Sequence, residues 1–379
     1  MKQIMRIILF ILGTFLALNT FAKQLRPNIV LIMCDDLGYG DVQCLNPKHG
    51  KIKTPHIDRL AGEGMVFTDA HSGSAVCTPT RYGLLTGRYS WRTRLQSGVV
   101  QGFAPCLIAP DRLTVASLLK KQGYETGIIG KWHLDFKYQD AKTGKILPRM
   151  KRAPIGSTIP DGPVHRGFDY FHGIHHAGHM DTIIENNKVI ERMDEIHNLP
   201  RLTEKSVAYI EGYAKSRAQP FFLYVPFTAV HLPVNETEDW LDKVPAVITK
   251  SIARQYAACI MHMDHSVGRI LKALAEHDLR QNTLIVFTSD NGGSWSENKD
   301  LKYPLDESIT GKLTGNNKPL RDQKGSIYEG GTRVPTLVSW PGKIALGKNP
   351  TPVFIADWMP TFCKLAGFEL GRDLMWDGT

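Results

Sequence analysis

The 379-residue sequence lacks several patterns that would assign it to a specialised class of protein. Its six cysteines include no CxxC pair, which argues against a structural zinc site. Lysine and arginine are scattered, so the formal net charge of +9 does not indicate a nucleic-acid groove. There is no internal repeat, and beyond the N-terminus no apolar run approaches the length of a membrane span. These absences leave a globular protein whose basic surface suits a polyanionic substrate.

The first 22 residues have the parts of a secretory signal peptide. Lys2 and Arg6 precede an apolar stretch over residues 7–18, and Ala22 offers a small residue at the cleavage position. A retained membrane anchor is the alternative reading. We predict a signal peptide over residues 1–22, export to the periplasm or medium, and one domain over residues 23–379 without a stable membrane span.

Buried strands alternate with helices along the rest of the chain. Residues 28–33, 126–129, 221–227 and 283–288 are mostly β-branched, aromatic or otherwise apolar, as in strands covered on both faces of a parallel sheet. Residues 113–121 and 251–276 have helical periodicity. The pattern predicts an α/β fold with a large, mostly parallel sheet between helices. Polar residues follow the strand ends, where open α/β sheets place their ligands.

Four of these polar residues form a candidate metal site. Asp35 and Asp36 follow the first strand, and Asp290 and Asn291 follow a later one. Carboxylate and amide oxygens suit Ca²⁺ or Mg²⁺ rather than a soft metal. A solvated strand end is the alternative, but two adjacent buried carboxylates would repel each other without a cation.

Cys77 lies where a loop enters a helix, four residues before Arg81. A helix N-terminus and a guanidinium group would both lower the pKa of the thiol and attract anions. From these residues alone, an anion-handling nucleophile and an ordinary buried cysteine both remain open.

The segment from Cys77 to Arg88 reads Cys-Thr-Pro-Thr-Arg and continues into Leu-Thr-Gly-Arg. This C-x-P-x-R pattern resembles the signature of the type I sulfatases of the alkaline phosphatase superfamily. The resemblance extends from about Pro27 to the end of the chain, and is greatest to enzymes of the N-acetylgalactosamine-6-sulfatase and arylsulfatase A kind. It implies that a maturation enzyme oxidises Cys77 to formylglycine.

The resemblance also implies a role for each matching position. Ca²⁺, or Mg²⁺, would be held by Asp35, Asp36, Asp290, Asn291 and the modified Cys77. The catalytic residues would be Cys77, Arg81, Lys131, His133, His231 and Lys324, of which Lys131, His231 and Lys324 would contact the substrate. Lys131, Lys324 and Arg81 would surround the sulfate ester, and the two histidines would titrate near neutral pH.

The implied reaction hydrolyses an ester of a sulfated carbohydrate or an aryl sulfate. Hydrated formylglycine has two hydroxyl groups, one to attack sulfur and one whose proton His133 removes so that sulfate is expelled. His231 would protonate the leaving alcohol, assisted by Lys324. A serine has no second hydroxyl and could not release sulfate in this way.

Two other functions fit the same residues. Some phosphodiesterases and phosphonate monoester hydrolases of the superfamily share the C-x-P-x-R site, and an unmodified chain could be an inactive binder of sulfated glycans. Family members also continue beyond an element like Asp377-Gly378 into a small antiparallel subdomain, which we expect to be absent or truncated in a chain that stops at Thr379.

A cluster of histidines has no place in the implied reaction. His172, His175, His176 and His179 lie within eight residues, near Asp181. A second metal site and a loop that faces the substrate are the two alternatives.

Overall fold

The computed structural model describes residues 26–48, 50–149, 152–249, 251–295, 315–368, 371 and 375–379. The predicted signal peptide at residues 1–22 lies outside the described residues. Within them, no helix combines the length and the apolar character needed to cross a bilayer.

A ten-stranded mixed sheet forms the middle of the molecule. The strands of the chain are β1 (Asn28–Cys34), β2 (Met65–Phe67), β3 (Ala70–His71), β4 (Glu125–Lys131), β5 (Tyr170–Ile174), β6 (Thr182–Glu185), β7 (Lys188–Arg192), β8 (Phe221–Pro226), β9 (Thr283–Ser289), β10 (Thr336–Ser339), β11 (Gly347–Asn349) and β12 (Val353–Phe354). The order across the large sheet is β11-β2-β10-β9-β1-β8-β4-β5-β6-β7, while β12 pairs with β3. The central strands from β9 to β5 are all parallel, and β10, β6 and β7 add antiparallel pairs on either side. The predicted mostly parallel sheet is confirmed.

Helices cover both faces of this sheet. They are α1 (Pro55–Gly62), α2 (Cys77–Thr86), α3 (Val115–Lys121), α4 (Asn198–Ser216), α5 (Glu238–Leu241), α6 (Ser251–Glu276), α7 (Glu329–Thr332) and α8 (Trp358–Leu365). Short 3₁₀ helices lie at Tyr39–Asp41, Gln43–Leu45, Ser90–Arg92, Pro163–Arg166, Ala177–His179, Glu195–His197, Arg280–Asn282 and Ile355–Asp357.

Side chains of β1 alternate between two hydrophobic cores. Ile29, Leu31 and Met33 pack with residues of α2, α3 and α8. Val30 and Ile32 pack on the other face with residues of α1, α4 and α6. Because successive side chains of a strand point to opposite faces, a strand buried on both sides has to be apolar at every position. This explains the unbroken apolar run in β1 and sets the carboxyl edge of the sheet as the place where polar residues gather.

Candidate active site

Two adjacent parallel strands place the predicted acidic residues side by side. In the register of β1 and β9, Cys34 lies opposite Ser289, so Asp35 and Asp290 leave the sheet together. The backbone NH of Asp290 donates to the Cys34 carbonyl (3.1 Å), and that of Asp36 donates to a carboxylate oxygen of Asp290 (3.2 Å). All three carboxylates are buried. The structure therefore brings together the residues that the strand ends predicted.

Asn291 completes this group and supports a cation there. Its Nδ2 donates to Asp36 Oδ1 (2.8 Å), whereas its Oδ1 is buried with no hydrogen-bond partner among the described residues. A buried acceptor without a partner costs free energy, so such an atom is usually a ligand to something. An unpartnered amide oxygen beside three carboxylates fits a hard divalent cation.

Cys77 is the first residue of α2 and faces this acidic group. Its Sγ lies 3.6 Å from Asp35 Oδ1 and 4.0 Å from Asp36 Oδ1. Burial together with Asp290 and Asp35 raises the pKa of the thiol well above its usual value. The expectation of a lowered thiol pKa is wrong, because desolvation and the carboxylates outweigh the helix terminus and the nearby cations.

Arg81 lies among the residues of the candidate metal site. Its guanidinium group is fully buried, and Nε and Nη2 donate to Asp290 Oδ2 at 3.0 and 2.7 Å. Nη1 donates to the carbonyl of Lys131 (3.1 Å). Arg81 thus pairs with a candidate metal ligand and connects α2 to the ends of β4 and β9.

Two lysines flank the same carboxylates. Lys131 Nζ lies 2.5 Å from Asp35 Oδ2, and Lys324 Nζ lies 2.7 Å from Asp36 Oδ2. Burial would raise the pKa of Asp35, but Lys131, His231 and Arg81 outweigh it and lower the pKa to about 2. Burial would lower the pKa of Lys324, yet Asp36 raises it, so this ammonium group stays charged.

His231 lies beside the carboxylates. His231 Nε2 is 3.7 Å from Asp36 Oδ2, and its Nδ1 donates to the carbonyl of Leu232 (2.6 Å). Ligand atoms of Asp35, Asp36, Cys77 and His231 all fall within 4.8 Å of one another. Burial lowers the pKa of His231 below its usual value, while Asp36 and Asp35 oppose this shift.

His133 is further from the carboxylates. Its Nε2 donates to the carbonyl of Val100 (3.2 Å), and its buried Nδ1 has no partner among the described residues. Burial and the charge of Lys131 lower the pKa of His133 well below its usual value, contrary to the sequence expectation. A neutral ring with a free Nδ1 lone pair is able to accept a proton at that atom.

Sequence reasoning missed the residue that positions Lys324. The Asn317 side chain accepts from the backbone NH of Gly293 (2.8 Å) and donates to the carbonyls of Gly293 (2.9 Å) and Asp322 (3.1 Å). The NH of Lys324 in turn donates to Gly293 (3.1 Å). Asn317 stands outside any helix or strand, so no periodic pattern in the sequence marks it.

Comparison with known proteins gives a consistent result. The Sulfatase family model matches residues 27–368. N-acetylgalactosamine-6-O-sulfatase of Bacteroides thetaiotaomicron is 32% identical over 378 residues, covering 86% of this chain and 69% of that protein. Arylsulfatase G of Canis lupus familiaris is 30% identical over 397 residues, covering 93% of this chain and 66% of the relative. The chain therefore spans about two thirds of the length of these two relatives.

The crystal structure of Ps i-CgsB in complex with k-i-k-neocarrahexaose has the same architecture. It is similar to this chain with a TM-score of 0.76 and 29% sequence identity, over 93% of this chain and 75% of that one.

Proposed function

The chain belongs to the sulfatase family, whose members are enzymes that hydrolyse sulfate esters, and we propose that it removes sulfate from a sulfated carbohydrate. One observation carries the proposal: the cysteine of the C-x-P-x-R motif faces Asp35 and Asp36 at the edge of the sheet where two lysines also converge. That arrangement supplies a nucleophile position, a cation site and positive charge in one buried place.

The carbohydrate is inferred from the relatives and from charge. One relative is named for N-acetylgalactosamine-6-O-sulfate chemistry, and the solved neighbour was crystallised with k-i-k-neocarrahexaose. The net charge of +9 favours a polyanionic substrate. Aryl sulfates would serve as small substrates of the same site.

Asp35, Asp36, Asp290, Asn291 and the modified Cys77 would hold Ca²⁺, with Mg²⁺ as the alternative. When bound, this cation supplies Lewis-acid charge to the oxygen at position 77 and to the ester. Three buried carboxylates face three cationic groups, those of Arg81, Lys131 and Lys324. The protein groups thus balance one another, and the double charge of the cation is left to attract a sulfate monoester anion.

Oxidation of Cys77 to formylglycine supplies a hydrated aldehyde with one hydroxyl to attack sulfur and one through which sulfate is released. Lys131 and Lys324 neutralise the charge on the sulfate oxygens, since both ammonium groups lie at the carboxylate cluster. His231 would donate a proton to the leaving alcohol from Nε2 of its imidazolium form, which Asp36 and Asp35 favour, with the charged ammonium group of Lys324 assisting. His133 would accept a proton at Nδ1.

Two further parts of the proposal concern maturation and export. A formylglycine-generating enzyme would modify Cys77, and residues 1–22 would direct export to the periplasm or the medium.

The test has two measurements on protein from the native host. The mass of the tryptic peptide that ends at Arg81 should show an aldehyde at position 77, and aryl sulfate should be turned over in preference to aryl phosphate. A preference for phosphate would transfer the chain to the phosphodiesterase and phosphonate hydrolase alternative. An unmodified thiol together with no turnover would instead support a glycan-binding protein.

A further inference from the structure

Three histidines converge in the loop that follows β5. One ring nitrogen from each of His175, His176 and His179 lies within 4.8 Å of the other two. His175 and His179 are buried, and His176 is half-buried. The loop runs along the same carboxyl edge as the active site, since the backbone NH of His133 donates to the carbonyl of His175 (2.7 Å). The cluster is therefore a neighbour of the catalytic group, built from different residues.

His175, the most deeply buried residue of the cluster, has ring nitrogens that the protein does not satisfy. Neither ring nitrogen of His175 has a hydrogen-bond partner among the described residues. His175 is completely buried, with its ring stacked on Phe136 at 3.9 Å between centroids. Buried polar atoms nearly always have a hydrogen-bond partner. The two unpaired ring nitrogens of His175 therefore indicate that a ligand binds here.

We propose that His175, His176 and His179 form a second metal site, for a divalent cation of the Zn²⁺ class. Three imidazole nitrogens are the donor set of an open zinc site, in which a fourth position remains for water or another ligand. The set has no oxygen donor, so it does not suit the Ca²⁺ assigned to the carboxylates. Burial also lowers the pKa of His175 well below its usual value and that of His176 to about 3, which keeps both rings neutral.

Binding changes one hydrogen bond of the loop. Nδ1 of His176 accepts from the backbone NH of Gly178 (3.0 Å), so in the cation-free structure the ring proton is on Nε2. Coordination through Nε2 moves that proton to Nδ1 and breaks the Gly178 contact. The bond to the metal replaces this hydrogen bond. The proton moves within the ring, so none is released from His176.

The backbone opposite the cluster is packed against the rings. Gly102 has φ +87°, and a Cβ there would lie 2.6 Å from His176 and 2.8 Å from His175. The ring of His176 also stacks on that of His133, with centroids 5.5 Å apart and planes at 26°. A bound cation would thus fix the loop against the histidine proposed as proton acceptor.

The experiment uses the full chain carrying Cys77→Ser, with Ca²⁺ in excess. This background is needed because Asp35, Asp36, Cys77 and His231 also satisfy the geometry of a metal site. Zn²⁺ is titrated by calorimetry, and Co²⁺ is substituted to read the d–d absorption of a tetrahedral nitrogen site. We expect one equivalent of Zn²⁺ and a Co²⁺ spectrum without thiolate charge transfer.

Variants assign the site. His176→Gln and His179→Gln should each weaken Zn²⁺ binding on the order of 10²-fold. Loss of a residue that only hydrogen-bonds to a metal ligand already lowers metal affinity about 10–100-fold. His165→Gln, an exposed histidine in the Pro163–Arg166 turn, is the matched control and should leave the affinity unchanged. Circular dichroism identifies a variant that fails to fold. If the buried His179→Gln variant does not fold, the test relies on His176→Gln, because His176 is only half-buried.

Two results would overturn the site. One is the absence of any Zn²⁺ uptake by the Ca²⁺-loaded parent. The other is equal affinity in the folded His176→Gln variant and the control. Neither depends on turnover, so the inference stands or falls separately from the proposed sulfatase activity.

Discussion

The ion pair between Arg81 and Asp290 lends itself to a quantitative test, the substitution Asp290→Asn. The side chain keeps its shape but loses the charge that faces two guanidinium hydrogen bonds at 2.7 and 3.0 Å. Arg81 would be left buried, with the Lys131 carbonyl at 3.1 Å and Asp35 Oδ1 at 3.5 Å among its close partners.

Breaking a buried pair by neutralising one partner costs about 3–5 kcal/mol, because the other charge stays desolvated. Unfolding entropy is about 2.1 cal/mol/K per residue, which is roughly 0.8 kcal/mol/K for a chain of this length. The expected fall in apparent Tm is therefore about 4–6 °C. Turnover should fall to nearly nothing as well, because Asp290 is one of the proposed cation ligands.

The assay is thermal unfolding of parent and variant in excess chelator, which removes any contribution from a bound cation. Asp377→Asn is the matched control: Asp377 also pairs with one arginine, Arg92, through Nε and Nη2, but this pair is near the surface. Solvent screens such a pair, so the apparent Tm of the control variant should fall much less than that of Asp290→Asn. Equal Tm values for the two variants in chelator would refute the view that Asp290 compensates the buried charge of Arg81.

The other predictions concern the nucleophile, the leaving group and a buried carboxylate. Cys77→Ser should allow at most one sulfation event per chain, because a seryl sulfate has no second hydroxyl, and sustained turnover in a stopped assay would contradict the proposed release step. His231→Ala should slow a sugar sulfate on the order of 10²–10⁴-fold, the span of general acid catalysis, and slow a nitrophenyl sulfate far less. Equal losses for the two substrates would mean that His231 positions the ester and that the acid is another group. Burial raises the pKa of Asp41 to about 7 although Asn316, Tyr256 and Gly38 donate to it. The folded chain then binds more protons than the unfolded chain between about pH 4 and 7, so this group should make stability fall as pH rises through that window. Chemical denaturation at several pH values should show a smaller fall in Asp41→Asn, and an unchanged pH profile would rule out the raised pKa.

Strand ends were the part of the site that sequence could predict. Asp35 and Asp290 each follow an apolar run, and parallel strands deliver such residues to one edge whatever the loops do. Lys131, which follows the predicted strand at residues 126–129, is the last residue of β4. The central strands were predictable because burial on both faces requires continuous apolar residues. Short strands such as β2, β3 and β11 span only two or three residues and leave no periodic signal.

Long-range pairing was the part that sequence could not predict. Arg81 is close to Cys77 along the chain, which suggested a lowered thiol pKa, but its guanidinium group binds Asp290, 209 residues away. The position of Lys324 likewise depends on hydrogen bonds from Asn317, in a loop without periodicity. In both cases the decisive partner is distant in sequence, and one sequence contains no record of that contact.

The register of β1 against β9 also has a consequence for the order of folding. These neighbouring strands bring Asp36 and Asp290 together across 254 residues. Closing so long a loop costs entropy that local contacts do not repay, and pairings of this kind form slowly. Asp290 is therefore far from Asp35 and Asp36, and its repulsion with them is absent, until β9 has been synthesised and has docked beside β1. A divalent cation has no complete set of ligands before that moment, so it stabilises the finished sheet and cannot act as its nucleus.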